Sequence, residues 1–158
     1  MTAAKPWLAQ YEPGVPAEIN PNEYASLVDL LDQSFKQYAT RDMAAFMDVR
    51  WTFAQVDEMS RALAAWFQSK GLAKGSRIAL MMPNTPQYVV AIAAVLRAGF
   101  VVVNVNPLYT PRELEHQLKD AGADAIVILE NFAVTLQEVI ERTAVKHVVM
   151  ASMGDMLP

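Results

Sequence analysis

The second half of the chain alternates two residue patterns with short breaks, and this alternation limits the fold more than any other feature. Apolar runs of strand length at 77–82, 100–103, 125–129 and 147–150 are separated by helical patterns at 86–98, 111–121 and 133–143. Apolar runs without polar alternation suit strands covered on both faces, as in a parallel sheet flanked by helices. Strands and helices alternating through short connections build right-handed β-α-β units. The expected class is therefore α/β, a doubly wound parallel sheet.

The stretch 103–118 shows the local chemistry best. Pro107 stops the strand before it, because proline has no N–H to give a ladder. Thr110 can cap the next helix, Pro111 stands where its missing N–H costs nothing, and Glu113 completes a capping box. Tyr109 and Leu114 occupy the two positions of a hydrophobic staple. Gly122 ends that helix. The helix at 87–96 is apolar nearly all round and so needs cover on more than one side. The N-terminal helices are expected to supply part of it. What remains should be an apolar face through which copies associate, since a net charge of −4 repels weakly.

Earlier in the chain, Pro6, Pro13, Pro16 and Pro21 point to an extended arm anchored by Trp7, Leu8 and Tyr11. Tyr24, Leu27, Val28, Leu31, Phe35 and Tyr38 follow helical spacing. Two short strands at 44–47 and 50–53 can form a hairpin, although the connecting Asp48-Val49 lacks the Gly or Asn of a tight turn. Thr52 and Gln55 make a second capping box, opening a helix that runs to Gly71 and carries an Asp57–Arg61 pair on its wet side. The expected organisation is an extended arm (1–22), a helical segment with a short hairpin (23–75), a parallel α/β subdomain (76–151) and a loop leading onward (152–158).

Hydrophobic residues make up 53% and charged residues 19% of the chain, a balance suited to buried parallel strands. The acidic balance argues against nucleic-acid partners. There is no cysteine, so thiolate chemistry is excluded. Residues 1–10 lack the apolar core of a signal peptide. The apolar tract 88–103 is interrupted by Arg97 and Gly99 and falls short of the ~20 residues a membrane span needs. The glycines form neither a dinucleotide fingerprint nor a P-loop. His116 and His147 have no metal-ligand spacing, and read as a helix-surface residue and a strand-edge residue. Glu113 and Glu115 diverge on a helix, and Ser60, Ser69 and Ser76 lie in no nucleophile elbow. No catalytic or cofactor-binding residue is read from this chain. Ligands of open α/β sheets gather at the carboxyl ends of strands, which singles out Pro83, Asn84, Asn104, Asn106 and Tyr109 as candidates to line a substrate channel.

NVNPLYTPRELEHQL at 104–118, with VLRAGFVVV before it, closely resembles a segment of the long-chain fatty-acyl-CoA synthetases of the adenylate-forming (acyl-activating) superfamily. GVPAEINP, SLVDLLDQSFKQYA, WTFAQVDEMSRALAAWF and GSRIALMMPNTPQYVVAIAAVLRAG extend the likeness over nearly the whole chain. It resembles the first part of such an enzyme. The resemblance implies an ATP-dependent fatty-acid–CoA ligase that works through an acyl-adenylate, with ATP, Mg²⁺ and CoA serving the parent enzyme. The family's Thr/Ser/Gly-rich phosphate loop has no counterpart in this sequence, so the chain alone is expected to be inactive and to hold no cofactor. The implied location is the cytoplasm, with peripheral attachment at the inner face of a membrane and a homodimer as further expectations. A free-standing interaction or dimerisation module that kept this fold stays open as the alternative.

Overall fold

The computed structural model describes residues 5–158. A hairpin of β1 (Asp42–Phe46) and β2 (Val49–Thr52) precedes a sheet of β3 (Arg77–Met81), β4 (Val101–Asn104), β5 (Ala125–Leu129) and β6 (His147–Ala151). The four strands are all parallel, in the order β4-β3-β5-β6. Five helices accompany them: α1 (Leu27–Gln37), α2 (Phe53–Ser69), α3 (Pro86–Arg97), α4 (Pro111–Ala121) and α5 (Ala133–Gln137).

Successive side chains of a strand point to opposite faces, and both faces here are apolar. On one face Ile78, Leu80, Val127 and Leu129 pack with Phe67 of α2 and Ala91, Ala94 and Val95 of α3. On the other, Ala79, Met81, Ile126 and Ile128 pack with Leu114, Leu118 and Leu136 from α4 and α5. The sheet is doubly wound, as the alternation of patterns predicts.

Outside α3 lies a third layer. Phe35 of α1, Trp51 of β2 and Val56 of α2 bury Val90 and Ala93 from the side away from the sheet. No residue of α3 is left exposed. The hairpin and both N-terminal helices close over most of the apolar face expected on this helix, and what remains, at Ile92 and Leu96, lines an open apolar groove with Leu27 and Val101. Exposed apolar side chains lie instead along the two edges of the sheet, at Leu27 and Val101 beside β4 and at Val148 and Met150 on β6.

Several local expectations change. Residues 1–4 of the expected arm lie outside the described residues, and no residue from 5 to 26 is buried. Trp7 and Tyr11 are 52% and 44% exposed, so the aromatics do not anchor the arm. Helix α1 begins only at Leu27, because the Ser26 hydroxyl accepts from Asp29 N at 3.1 Å and caps it, which leaves Tyr24 outside. The helix expected at 133–143 stops at Gln137 and continues only as a 3-10 turn at Ile140–Arg142. This segment is rich in β-branched Val, Thr and Ile, which lower helix propensity, and the Thr143 hydroxyl bonds back to the Ile140 carbonyl at 2.8 Å. The last residues turn back on the core. Ser152 N donates to Asp155 Oδ2 at 2.7 Å, and Met156 and Leu157 pack beside the α1–hairpin cluster.

The hairpin forms one residue earlier than its sequence suggests. Phe46 pairs with Val49, so Met47-Asp48 is the turn, with φ of 46° and 64°. Two consecutive left-handed residues make the turn that matches strand twist, and it is costly for methionine. Converting Met47-Asp48 to Asn-Gly should raise stability by about 1 kcal/mol, read as a higher urea midpoint with an unchanged slope. An unmoved midpoint would mean the turn carries no strain.

At α4 the capping box closes as its sequence predicts. Glu113 Oε2 accepts from Thr110 N at 2.9 Å and from the Thr110 hydroxyl at 2.7 Å, while that hydroxyl accepts from Glu113 N at 3.4 Å. These donations, the backbone one first, hold the Glu113 carboxyl below its ordinary value. Thr110→Ala should cost about 1 kcal/mol of stability, the usual loss of a helix cap. Denaturation curves that coincide with the parent would show that Thr110 does not cap.

Candidate functional site

The chain leaves β3 for β4 on one side and returns across it to β5 on the other. The switch point of the sheet therefore lies between the carboxyl ends of β3 and β5, with α3 and α5 departing to opposite faces. Three polar side chains that sequence reasoning missed sit beside the carboxyl ends of β3, β5 and β6. Gln87 Nε2 donates to the Ser152 carbonyl at 2.9 Å, and the Ser152 hydroxyl donates to Glu130 Oε1 at 2.6 Å. Gln87 is buried, and its Oε1 has no hydrogen-bond partner. The one available signal was position: Glu130 and Ser152 directly follow β5 and β6, and Gln87 lies in the first turn of α3.

The five candidates singled out from sequence do not share one channel. Pro83, half-buried, and Asn84, exposed, form the turn after β3. Asn84 lines a cleft of about 260 Å³ between β1 and the start of α3, together with Met43, Ala44, Tyr88 and Val89. Asn104 ends β4 and lines a separate apolar groove of about 490 Å³ with Leu27, Ile92 and Val101. Tyr88, also missed from sequence, stands between the two: its hydroxyl donates to Asn104 Oδ1 at 2.7 Å. Gln117 Nε2 of α4 donates to the Asn104 carbonyl at 2.9 Å, so α3 and α4 both hold the end of this strand. Asn106 is taken up locally, its Oδ1 accepting from Leu108 N at 3.0 Å. Tyr109 packs against the α4 cluster and borders a shallow depression with Glu113 and His116.

Residues 31–157 match the family model described as AMP-binding enzyme. The chain belongs to the AMP-binding enzyme family. It is 56% identical, over 97% of its length, to a long-chain-fatty-acid–CoA ligase of Escherichia coli O6:H1, and 36% identical over its whole length to one of Bacillus subtilis. It covers only 28% of either relative. Among solved structures, a long-chain-fatty-acid–CoA ligase from Archaeoglobus fulgidus superposes with a TM-score of 0.74 at 27% identity, over 90% of this chain and 30% of that one. An anthranilate CoA ligase in complex with anthranoyl-AMP gives 0.77 at 21% identity, over 84% of this chain and 27% of that one, which speaks to the fold alone.

The residues present do not fit ATP or Mg²⁺. Among the described residues no group of three or more His, Asp and Glu could hold a metal ion, and the glycines form no phosphate loop. The described residues form a scaffold with cleft walls at the carboxyl edge of the sheet.

Proposed function

We propose that this chain is the N-terminal portion of a long-chain-fatty-acid–CoA ligase. The identity of 56% to the Escherichia coli ligase, sustained over 97% of the chain, carries this reading. In the whole enzyme the fatty-acid carboxylate attacks the α-phosphate of ATP, forming acyl-adenylate and releasing pyrophosphate. The CoA thiol then displaces AMP and forms the thioester. The present residues shape the approach to that chemistry: α3, β3 and β4 present Asn84, Tyr88 and Asn104 at the sheet edge where ligands of such folds gather. The proposed location is cytoplasmic, with peripheral contact to a membrane. Among the described residues no helix is long and apolar enough to cross one.

Replacing the matching segment of the Escherichia coli ligase with this chain tests the reading. The chimera is expected to form acyl-CoA from a long-chain fatty acid, and a chimera that folds but forms no acyl-adenylate would overturn it. The isolated chain should release no pyrophosphate in response to fatty acid. Such release above a no-protein blank would show that it carries its own nucleotide site. One observation favours the second reading, a free-standing module: the chain's own elements cover most of α3 and leave no residue of it fully exposed. A chain that stays monomeric and inactive, with a chimera that fails, would support that module.

A further inference from the structure

We propose that the amino edge of the parallel sheet, with Lys70, Lys74, Arg77 and Lys146, is a docking surface for an anionic membrane. The inference rests on the ligase reading above, because a long-chain fatty acid leaves water for bilayers. The fold brings the end of α2 and the starts of β3 and β6 to one edge. Lys70 follows the last turn of α2, Lys74 stands in the connection onward, and Arg77 opens β3. Asp124 N donates to the Arg77 carbonyl at 2.8 Å, and Lys146 N to the Asp124 carbonyl at 2.8 Å. The starts of β3, β5 and β6 therefore lie in one row, with neighbouring strands about 4.8 Å apart. The cationic side chains lie along this edge. A Cβ on Gly99, before β4, would meet Lys74 Cγ at 3.5 Å, and one on Gly122, before β5, would meet Arg77 Nη1 at 3.9 Å.

All four cations are exposed. Among the described residues none of them is in an ion pair, whereas Lys119 and Arg142 are held by Glu115. Asp124 stands inside the row, but its Oδ2 accepts from Arg77 N at 3.1 Å and so is turned to the backbone. Asp120, in the last turn of α4, adds one acid against four cations. In a chain of net charge −4 this grouping runs against the overall balance. Trp66, 36% exposed, lies one turn before Lys70, whose Nζ stands 4.6 Å from the ring centre. A tryptophan beside lysines suits the headgroup level of a bilayer, where the ring meets acyl chains and the cations meet lipid phosphate. Docking here leaves the carboxyl ends of the strands free on the opposite side, where ligands of such sheets gather.

Flotation of the isolated chain with vesicles at low salt is the test. Vesicles of phosphatidylcholine and phosphatidylglycerol in equal parts are expected to carry the chain, and vesicles of phosphatidylcholine alone to leave it behind. Added salt should release it, because screening shortens the reach of exposed charges. Lys74→Gln, Arg77→Gln and Lys146→Gln should each weaken binding about fivefold, and the triple variant should not float. Arg112→Gln is the control, since Arg112 is exposed at the start of α4, on the carboxyl side of the sheet. Unchanged urea midpoints report that the variants fold. No flotation of the parent, equal flotation with both vesicles, or equal losses from Arg112→Gln and Lys74→Gln would each overturn the proposal. So would binding to polyglutamate without flotation, which would assign the row to an acidic protein. The chimera assay keeps the two readings apart. If the chimera makes acyl-CoA and the chain ignores anionic vesicles, the ligase assignment stands and this edge is not a membrane surface.

Discussion

Phe67→Ala is expected to remove about 4 kcal/mol of stability, the largest loss from any single side chain considered. The ring is fully buried where α2 meets the sheet, beside Ile78, Leu80 and Val95. It packs edge-on to Phe100 at 6.3 Å and to Trp66 at 5.4 Å. Truncation would leave a cavity between two rigid layers that cannot collapse together. Domains of this kind are stable by only about 5–15 kcal/mol, so the variant should fold but unfold at a much lower urea concentration. Trp66 is the control. It is 36% exposed and carries Lys70 over its outer face at 4.6 Å, so Trp66→Ala should cost far less. Equal losses for the two variants would show that α2 is not held by Phe67.

Arg97→Ala is expected to cost about 2–3 kcal/mol, below the full cost of breaking a buried ion pair because water still reaches the partners. Arg97 looks in sequence like an interruption of an apolar tract. In the fold it joins three helices, with its side chain only 13% exposed. Its Nη2 donates to Asp32 Oδ1 of α1 at 2.9 Å and stands 2.6 Å from Asp57 Oδ1 of α2, a charge contact without hydrogen-bond alignment. The guanidinium also stacks over Phe35 at 5.3 Å. Asp57 is thus more than the wet-side partner of Arg61, which holds its other oxygen at 3.0 Å.

Burial pushes the Asp57 carboxyl up, and the contacts from Arg61 and Arg97 outweigh this, leaving it below its ordinary value. A carboxyl lowered in the folded state adds stability above its unfolded value, about pH 4, and loses it as pH falls through the folded value. The gap between parent and Arg97→Ala should therefore be wide at pH 7 and narrow toward pH 3. A gap that does not change with pH would assign the loss to packing on Phe35 alone.

The candidate site was legible only in part. Asn84 and Asn104 could be placed because strand ends follow from apolar runs, and ligands of open sheets gather there. That Asn106 would be consumed by its own loop was not evident, since an exposed asparagine and a turn asparagine look alike in sequence. Tyr88 escaped notice because its spacing on α3 marks it as core, and only the packing of α3 against β4 brings its hydroxyl to Asn104.

Local chemistry determined the elements themselves. Both capping boxes, Pro111 at a first helical position, and Gly122 at φ 60° act over a few residues and formed where the sequence placed them. Periodicity likewise determined the parallel class, because a strand apolar on both sides has to be covered on both. That the N-terminal helices would cover part of α3 was likewise expected from sequence, and tertiary structure alone decided that the hairpin joins them and where the charges meet. The hairpin and α1 reach α3 only through contacts far apart in sequence, such as Asp32 to Arg97. The turn at Met47-Asp48 was settled the same way: pairing and burial of the strands fixed a register that its own residues disfavour.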